Sequence, residues 1–298
     1  VYLEHFQLRE APFSIAPDPA YLFLSARHQE ALGHLLYGTG TQGGFVQLTG
    51  EVGTGKTTLV RALLREKLDD VDVAMIYNPR QNEVEFLASI CDELGVTYPT
   101  SPAPSIKTLV DVLNAHLLAT HARGRRVVLV IDEAQNLPVA VLEQVRLLTN
   151  LETDKEKLLR IMLVGQPELA DLLDRPDLRQ LASRITARYH LMPLSLADTR
   201  TYLAHRARVA GALRPLFTRE AEKTIYRRSA GIPRQINILA DRALLGAYAI
   251  GDLQVSAATA RRAAEEVLGG PARPGRRRSS CRASRSPGPK GCWRPSAC

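Results

Sequence analysis

The chain has 298 residues, of which 45% are hydrophobic and 23% charged, with 20 glycines and 18 prolines. This composition excludes collagen-like, disordered and disulfide-scaffold classes and suffices for one large or two moderate domains. The formal charge of +8 invites a nucleic-acid reading, but residues 269–298 hold eight basic side chains and no acidic one, which leaves 31 of each sign in residues 1–268. A neutral folded part gives no overall support for a DNA-binding surface. Apolar runs such as Val127–Ile131 are far short of the ~20 residues of a membrane span. No charged segment followed by an apolar one opens the chain, so the expectation is a soluble cytoplasmic protein.

Residues 1–44 are mixed, with punctuation at Pro12-Phe13 and Pro17-Asp18-Pro19. From Phe45 the order becomes strand (Phe45–Thr49), glycine loop (Gly50–Gly55) and helix (Lys56–Leu68). A second strand reads Asp72–Tyr77, followed by a helix over Glu83–Leu94, a loop at Pro99–Pro104 and a helix over Ile106–His121. Val127–Ile131 is a β-branched run suited to a strand buried on both faces. A helix at Val139–Leu151 then precedes strands at Leu158–Val164 and Ile185–Leu191. Strands separated by helices predict a parallel sheet with right-handed crossovers. After Pro193 the texture changes: Leu196–Ala210, Arg219–Ser229, Pro233–Ile250 and Ser256–Leu268 read as amphipathic helices with no strand between them. The reading is an N-terminal segment (1–44) packing on an α/β core (45–194), an all-α lid (195–268) and a basic tail (269–298).

The tail holds Cys281, Cys292, Cys298 and the single tryptophan, Trp293, in a Pro-, Gly-, Ser- and Arg-rich context. It reads either as a disordered basic arm or as an out-of-frame translation of GC-rich coding DNA, and the second is preferred. The remaining cysteine, Cys91, sits in a helical pattern and is expected to be a small buried residue rather than a metal ligand.

Gly50-Glu51-Val52-Gly53-Thr54-Gly55-Lys56-Thr57 fits G-x-x-x-x-G-K-[ST], the phosphate-binding loop. Its glycines let backbone N–H groups turn onto phosphates at the N-terminus of the following helix. Lys56 is assigned to the β- and γ-phosphates of ATP, Thr57 to Mg²⁺, and Thr58 to the neighbourhood of the α-phosphate. The apolar run Val127–Ile131 delivers Asp132 and Glu133 to the C-terminal edge of a strand, where open α/β sheets bind ligands. Asp132 is expected to hold Mg²⁺ through water, and Glu133 to orient and deprotonate the attacking water.

Loop, acidic pair and helical lid together resemble an AAA+ ATPase, a P-loop NTPase. The resemblance implies that Gln166, after the strand Leu158–Val164, is the polar residue sensing the γ-phosphate. It implies an arginine finger in Ser183-Arg184-Ile185, with Arg179 and Arg188 as alternatives to Arg184. It also implies that Arg234, in Gly231-Ile232-Pro233-Arg234, returns from the lid to the phosphates. The stretch from Tyr2 to Glu10, Pro12-Phe13, Pro17-Asp18-Pro19, Ser25, His28, Glu30-Ala31-Leu32 and Leu35-Leu36-Tyr37-Gly38 is similar to the opening of the general secretion pathway protein A ATPases. So are Val164-Gly165-Gln166-Pro167-Glu168-Leu169 and the stretch Arg184–Leu194.

That resemblance spans residues 1–268. It implies an oligomeric ATPase on the cytoplasmic side of a bacterial inner membrane, acting with a membrane partner to help secretin assembly in type II secretion, and the leading reading is an ATPase of secretion-system or pilus assembly. Such proteins continue past the lid into a membrane helix and a peptidoglycan-binding region, whereas this chain continues into the basic tail, so peptidoglycan contact is not expected of it. Tyr21, Phe23 and His28 are candidates for an adenine pocket. The competing readings are a DNA-associated helper ATPase of the transposition-accessory kind and a nucleotide-binding scaffold without useful turnover. A helicase is disfavoured because Asp132-Glu133-Ala134-Gln135 comes without downstream helicase motifs.

Overall fold

A computed structural model of the chain describes residues 1–16, 18–39, 44–66, 70–77, 80–153 and 156–269. Among these, five strands form one parallel sheet: β1 (Phe45–Gly50), β2 (Val71–Ile76), β3 (Arg126–Ile131), β4 (Leu159–Gly165) and β5 (Ala187–Leu191), in the order β2-β3-β4-β1-β5. The helices before and between them are α1 (Leu3–Phe6), α2 (Ala26–Thr39), α3 (Lys56–Glu66), α4 (Glu83–Glu93), α5 (Ile106–Ala122), α6 (Val139–Leu148), α7 (Glu168–Leu173) and α8 (Arg179–Ala182). The lid comprises α9 (Leu196–Val209), α10 (Arg219–Ser229), α11 (Pro233–Ala249) and α12 (Ala257–Leu268).

The two-residue period of the strands divides the core. Val46 and Leu48 of β1, Val128 and Val130 of β3, and Met162 and Val164 of β4 pack with Leu59 and Leu63 of α3 and Leu35 of α2. The alternate residues Phe45, Leu129, Ile131, Ile161 and Leu163 pack with Phe86 and Ile90 of α4, Leu109 and Leu113 of α5, and Val145 of α6. Both faces are therefore covered, as a parallel sheet requires. Cys91 is fully buried in the second cluster, and burial pushes its thiol up to about 11.

Side-chain caps account for many of the helix starts. Asn82 and Ser195 close capping boxes with Glu85 and Asp198, and Ser105, Thr218 and Ser256 accept the backbone N–H three residues on. α6 stops at Leu148, three residues before the expected end, where the Thr149 hydroxyl donates to the Arg146 carbonyl at 2.6 Å. α3 is described to Glu66; the rest of the expected helix to Leu68 lies outside the described residues, as does the basic tail beyond Gly269.

The N-terminal segment divides between the two units. α2 lies over the sheet, through Ala31 and Leu35. Tyr2, Phe6, Leu8, Phe13 and Tyr21 instead enter the cluster formed by Leu203 of α9, Ile225 of α10, Leu239 and Ala243 of α11 and Ala260 of α12. Arg206 of α9 locks this arrangement: its guanidinium donates to the carbonyls of Pro12 (2.6 Å) and Ser14 (3.1 Å) and to the Tyr202 hydroxyl (3.2 Å), and lies 4.6 Å from the Tyr21 ring centroid. Tyr2 adds a hydrogen bond to Asp241 of α11.

Candidate active site

The strand order sets β4 between β1 and β3, so the C-terminal ends of these three strands stand side by side. β1 ends in the glycine loop, β3 in Asp132-Glu133, and β4 in Gly165-Gln166. The loop has the backbone its glycines allow: φ is +83° at Gly53 and +101° at Gly55. Thr54 ties it internally, its hydroxyl donating to the Glu51 carbonyl at 2.9 Å. A Cβ at Gly50 would stand 2.7 Å from the Leu191 carbonyl oxygen, so β5 holds the loop's first residue closely.

Lys56 is buried, and its ammonium donates to the carbonyls of Gly50 (2.8 Å) and Glu51 (3.0 Å). Burial holds its pKa below the ordinary lysine value, against the opposing pull of Glu133 and Asp132. Thr57 donates its hydroxyl to Asp132 at 2.6 Å, which brings together two hard oxygen groups from α3 and β3. Magnesium favours such a site, with one or two carboxylates completed by water and phosphate. Glu51 and Val52 are exposed on the loop, and Thr58 is exposed in the first turn of α3.

Glu133 has left-handed backbone, with φ +53°, which is uncommon outside glycine, asparagine and aspartate. Its Oε2 accepts from Gln166 Nε2 at 2.9 Å and from Gln135 Nε2 at 2.6 Å. Gln166 is thus joined to the acidic pair directly. The contact with Gln135 was invisible in the sequence because that residue lies in the turn after β3, beyond any periodic pattern.

A cavity of about 460 Å³ opens over the loop, within the usual range of roughly 300–1,000 Å³ for ligand sites. Its walls include Gly53, Thr54, Gly55, Lys56, Thr57, Thr58 and Glu133 from the core, Tyr202, Arg206, Arg234 and Asn237 from the lid, and Tyr21, Phe23 and His28 from the N-terminal segment. His28 is fixed by Ser25, whose hydroxyl lies 2.7 Å from Nδ1, and its Nε2 lies 3.3 Å from the Thr54 carbonyl. Burial lowers its pKa, so near neutral pH the ring is uncharged and Nε2–H donates to the loop. The Tyr21 phenol donates to Glu10 at 2.8 Å, and burial with that partner pushes it up to about 12. The exposed Arg234 meets the loop through its backbone, its N–H donating to the Gly53 carbonyl at 3.2 Å.

Arg184 lies outside this cavity. Its Nη1 donates to the Arg146 carbonyl (3.1 Å), to Asn150 (2.6 Å) and to the Thr149 hydroxyl, capping the C-terminus of α6. Arg188 is exposed and faces Asp174 at 3.5 Å. Arg179 is exposed, its side chain without a hydrogen bond or ion pair among the described residues. No helix among the described residues is long and apolar enough to cross a membrane.

Residues 39–173 match the family described as AAA domain. Over 269 residues the chain is 52% identical to a protein of Aeromonas hydrophila named General secretion pathway protein A, covering 90% of this chain and 49% of that one. The chain therefore spans about half the length of the curated relative it matches. Among solved structures, Cdc6p from Pyrobaculum aerophilum superposes with a TM-score of 0.68 at 22% identity, covering 87% of this chain and 71% of that one. The Drosophila ORC bound to DNA gives 0.65 at 20% identity, covering 89% and 66%. The Thermotoga maritima RuvB branch migration motor gives 0.54 at 19%, covering 83% and 70%. At these identities the likenesses establish the fold alone, a five-stranded parallel sheet followed by a helical C-terminal region, and nothing about activity or substrate.

Proposed function

We propose that this chain, a relative of general secretion pathway protein A that carries an AAA domain, binds ATP with Mg²⁺, hydrolyses it, and works as an oligomer in assembling a bacterial secretion system. The observation that carries the reading is the meeting of Lys56, the Thr57–Asp132 pair and the Gln166–Glu133 pair at one end of the sheet beside the loop cavity. The phosphates lie on the N–H groups of Gly50 to Thr58, with the Lys56 ammonium transferring its hydrogen bonds from two carbonyls to phosphate oxygens. Thr57 and Asp132 would hold the metal, which would neutralise charge on the phosphates. Glu133 takes the proton of the attacking water, and Gln166 steadies that carboxylate. Tyr21, Phe23 and His28 face the base, and Arg234 reports the phosphates to the lid.

Completion of the site by a neighbour's arginine makes turnover depend on assembly. The 179–188 segment supplies the candidates. Arg184 is occupied within its own chain, so the geometry favours the unpaired Arg179 over it. Helping secretin assembly at the cytoplasmic face of the inner membrane, with a membrane partner, is the setting that the resemblance to the general secretion pathway protein A ATPases implies.

ATPase rate measured against protein concentration, with and without duplex DNA and with Glu133→Gln as control, tests the reading. A specific rate that rises with concentration and ignores DNA is expected. Turnover seen only with DNA would replace the secretion role with a DNA-associated one. Tight ATP binding without turnover above the control would reduce the protein to a nucleotide-binding scaffold.

A further inference from the structure

Gln135 belongs to the turn that follows the acidic pair, in a short 3₁₀ segment over Ala134–Asn136. A glutamine there has no local need of its position: Glu133 has no side-chain cap bond, and the turn closes through backbone bonds from Asn136 to Glu133 and from Leu137 to Ala134. Both ends of the Gln135 amide are nevertheless engaged across two strands. Its Nε2 donates to Glu133 Oε2 at 2.6 Å, and its Oε1 accepts the backbone N–H of Gln166 at 3.0 Å. The side chain of the same Gln166 donates to the same Glu133 oxygen at 2.9 Å. The three residues form a closed loop of hydrogen bonds between the ends of β3 and β4.

Room for this amide is made by Gly165. A Cβ there would stand 2.7 Å from Gln135 Oε1 and 2.8 Å from Leu169 Cδ2, although Gly165 has no left-handed backbone that would call for glycine. The glycine at the end of β4 is thus explained by the joint approach of Gln135 and Leu169. Glu133, in turn, is a flexible carboxylate on a left-handed residue at the edge of the cavity. Two amide donors on Oε2 immobilise it and leave Oε1 without a hydrogen bond among the described residues.

We infer that Gln135 is a positioning residue for hydrolysis: it fixes the carboxylate of Glu133 and the backbone of Gln166 in one frame, so that Oε1 is the oxygen that meets water. This rests on the ATPase reading above. Gln135 is not among the walls of the cavity and so acts through Glu133, not on the nucleotide. The consequence is a specific separation: losing Gln135 slows the chemical step and leaves nucleotide binding intact.

The test is Gln135→Met, close in size but without donor or acceptor, alongside Gln135→Glu, which keeps the acceptor for Gln166 N–H and replaces the donor by a like charge facing Glu133. Each is measured in the full chain for affinity to a non-hydrolysable ATP analogue and for turnover. Turnover is expected to fall by about 10–100-fold, the usual loss on removing a group that orients a reacting one, with the dissociation constant changed by less than roughly twofold. Placed in the Glu133→Gln background, either substitution should cost almost nothing further, because its effect passes through the carboxylate already lost.

Wild-type turnover in both variants overturns the inference, as does weakened nucleotide binding in step with the rate. An equal fold-loss in the Glu133→Gln background also overturns it, since that marks a general structural role. If Gln135→Met does not fold, Gln135→Glu carries the same comparison. Failure of the wild-type chain to exceed Glu133→Gln refutes the ATPase reading itself, and the inference with it. Failure confined to the Gln135 variants leaves that reading standing.

Discussion

Gly231 joins the lid to the core, and replacing it with alanine should cost about 1.5–3.5 kcal/mol before any loss of packing, a sum of two parts. Its φ of +75° is left-handed, which costs an L-residue roughly 1–2 kcal/mol. A Cβ there would lie 2.1 Å from the carbonyl oxygen of Leu194 and 3.2 and 3.3 Å from its carbonyl carbon and nitrogen. These are backbone atoms, which no rotamer change can move aside, so the junction must open. Opening it breaks the bond from Leu194 N–H to the Gly231 carbonyl, 2.9 Å long and worth about 0.5–1.5 kcal/mol. Gly251 separates the parts: its φ is +76° and no atom stands within 4 Å of an added Cβ, so Gly251→Ala should show only the conformational cost. Gly33 inside α2 also has open space around it, and Gly33→Ala should stabilise by about 0.5–1 kcal/mol. Urea unfolding followed by far-UV circular dichroism, on the three variants together, gives the comparison. Equal losses for Gly231→Ala and Gly251→Ala, within about 0.5 kcal/mol, would refute the contact argument.

Three further perturbations address the site and its surroundings. The folded His28 takes up its proton below the unfolded value of 6.5 because it is buried, so its contribution is complete above that pH and falls as pH drops toward the folded value. His205 is lowered in the same direction, by burial first and then by Arg208 and Arg206. His28→Asn should therefore reduce the slope of stability against pH below 6.5 without abolishing it, and an unchanged slope would show the ring to be solvated. Arg206→Met should cost at least about 1.5–3 kcal/mol, the worth of one hydrogen bond from a charged donor, because the carbonyls of Pro12 and Ser14 lose the guanidinium, and should free the first 24 residues for proteolysis. Arg206→Lys should not restore protection, because one ammonium cannot reproduce the guanidinium's fork; persistent protection in both variants would count against the lock. Arg184→Ala should lower stability by about 1 kcal/mol through loss of the α6 cap. Arg179→Ala should leave stability unchanged and cut the concentration-dependent ATPase by about 10³-fold. The opposite pattern would return the finger to Arg184.

Strand β3 was legible because it is buried on both sides and reads as the unbroken apolar run Val127–Ile131, β1 and β4 because Gln47 and Arg160 only interrupt otherwise apolar stretches, and the loop and acidic pair because their residue types are dictated by phosphate and metal. α2 was not read, since only Ala31 and Leu35 supply fully buried apolar contacts within a stretch of histidine, glycine and charge. α7 and α8, of six and four residues, are too short to show a period. The place of Gln166 beside Glu133 depends on β4 lying next to β3, a strand order that no local pattern carries. Arg184 could be picked out as an arginine near the strand, but its engagement with the end of α6 is a contact across 34 to 38 residues. The packing of Phe6 and Phe13 against the lid has the same origin.

That last packing imposes a timetable on synthesis. Phe13 and Leu203 share one cluster but are separated by the entire α/β core, an interval of about 10–40 s at ordinary elongation rates of roughly 5–20 residues per second. The core can close as soon as β5 emerges, while Tyr2, Phe6 and Phe13 wait without their neighbours. During that time the nascent chain offers an aromatic, extended segment to any chaperone or protease near the ribosome exit. The same arrangement means that residues 195–268, grafted elsewhere, would arrive with a hole where the N-terminal aromatics belong. A portable lid has to bring the first 24 residues with it.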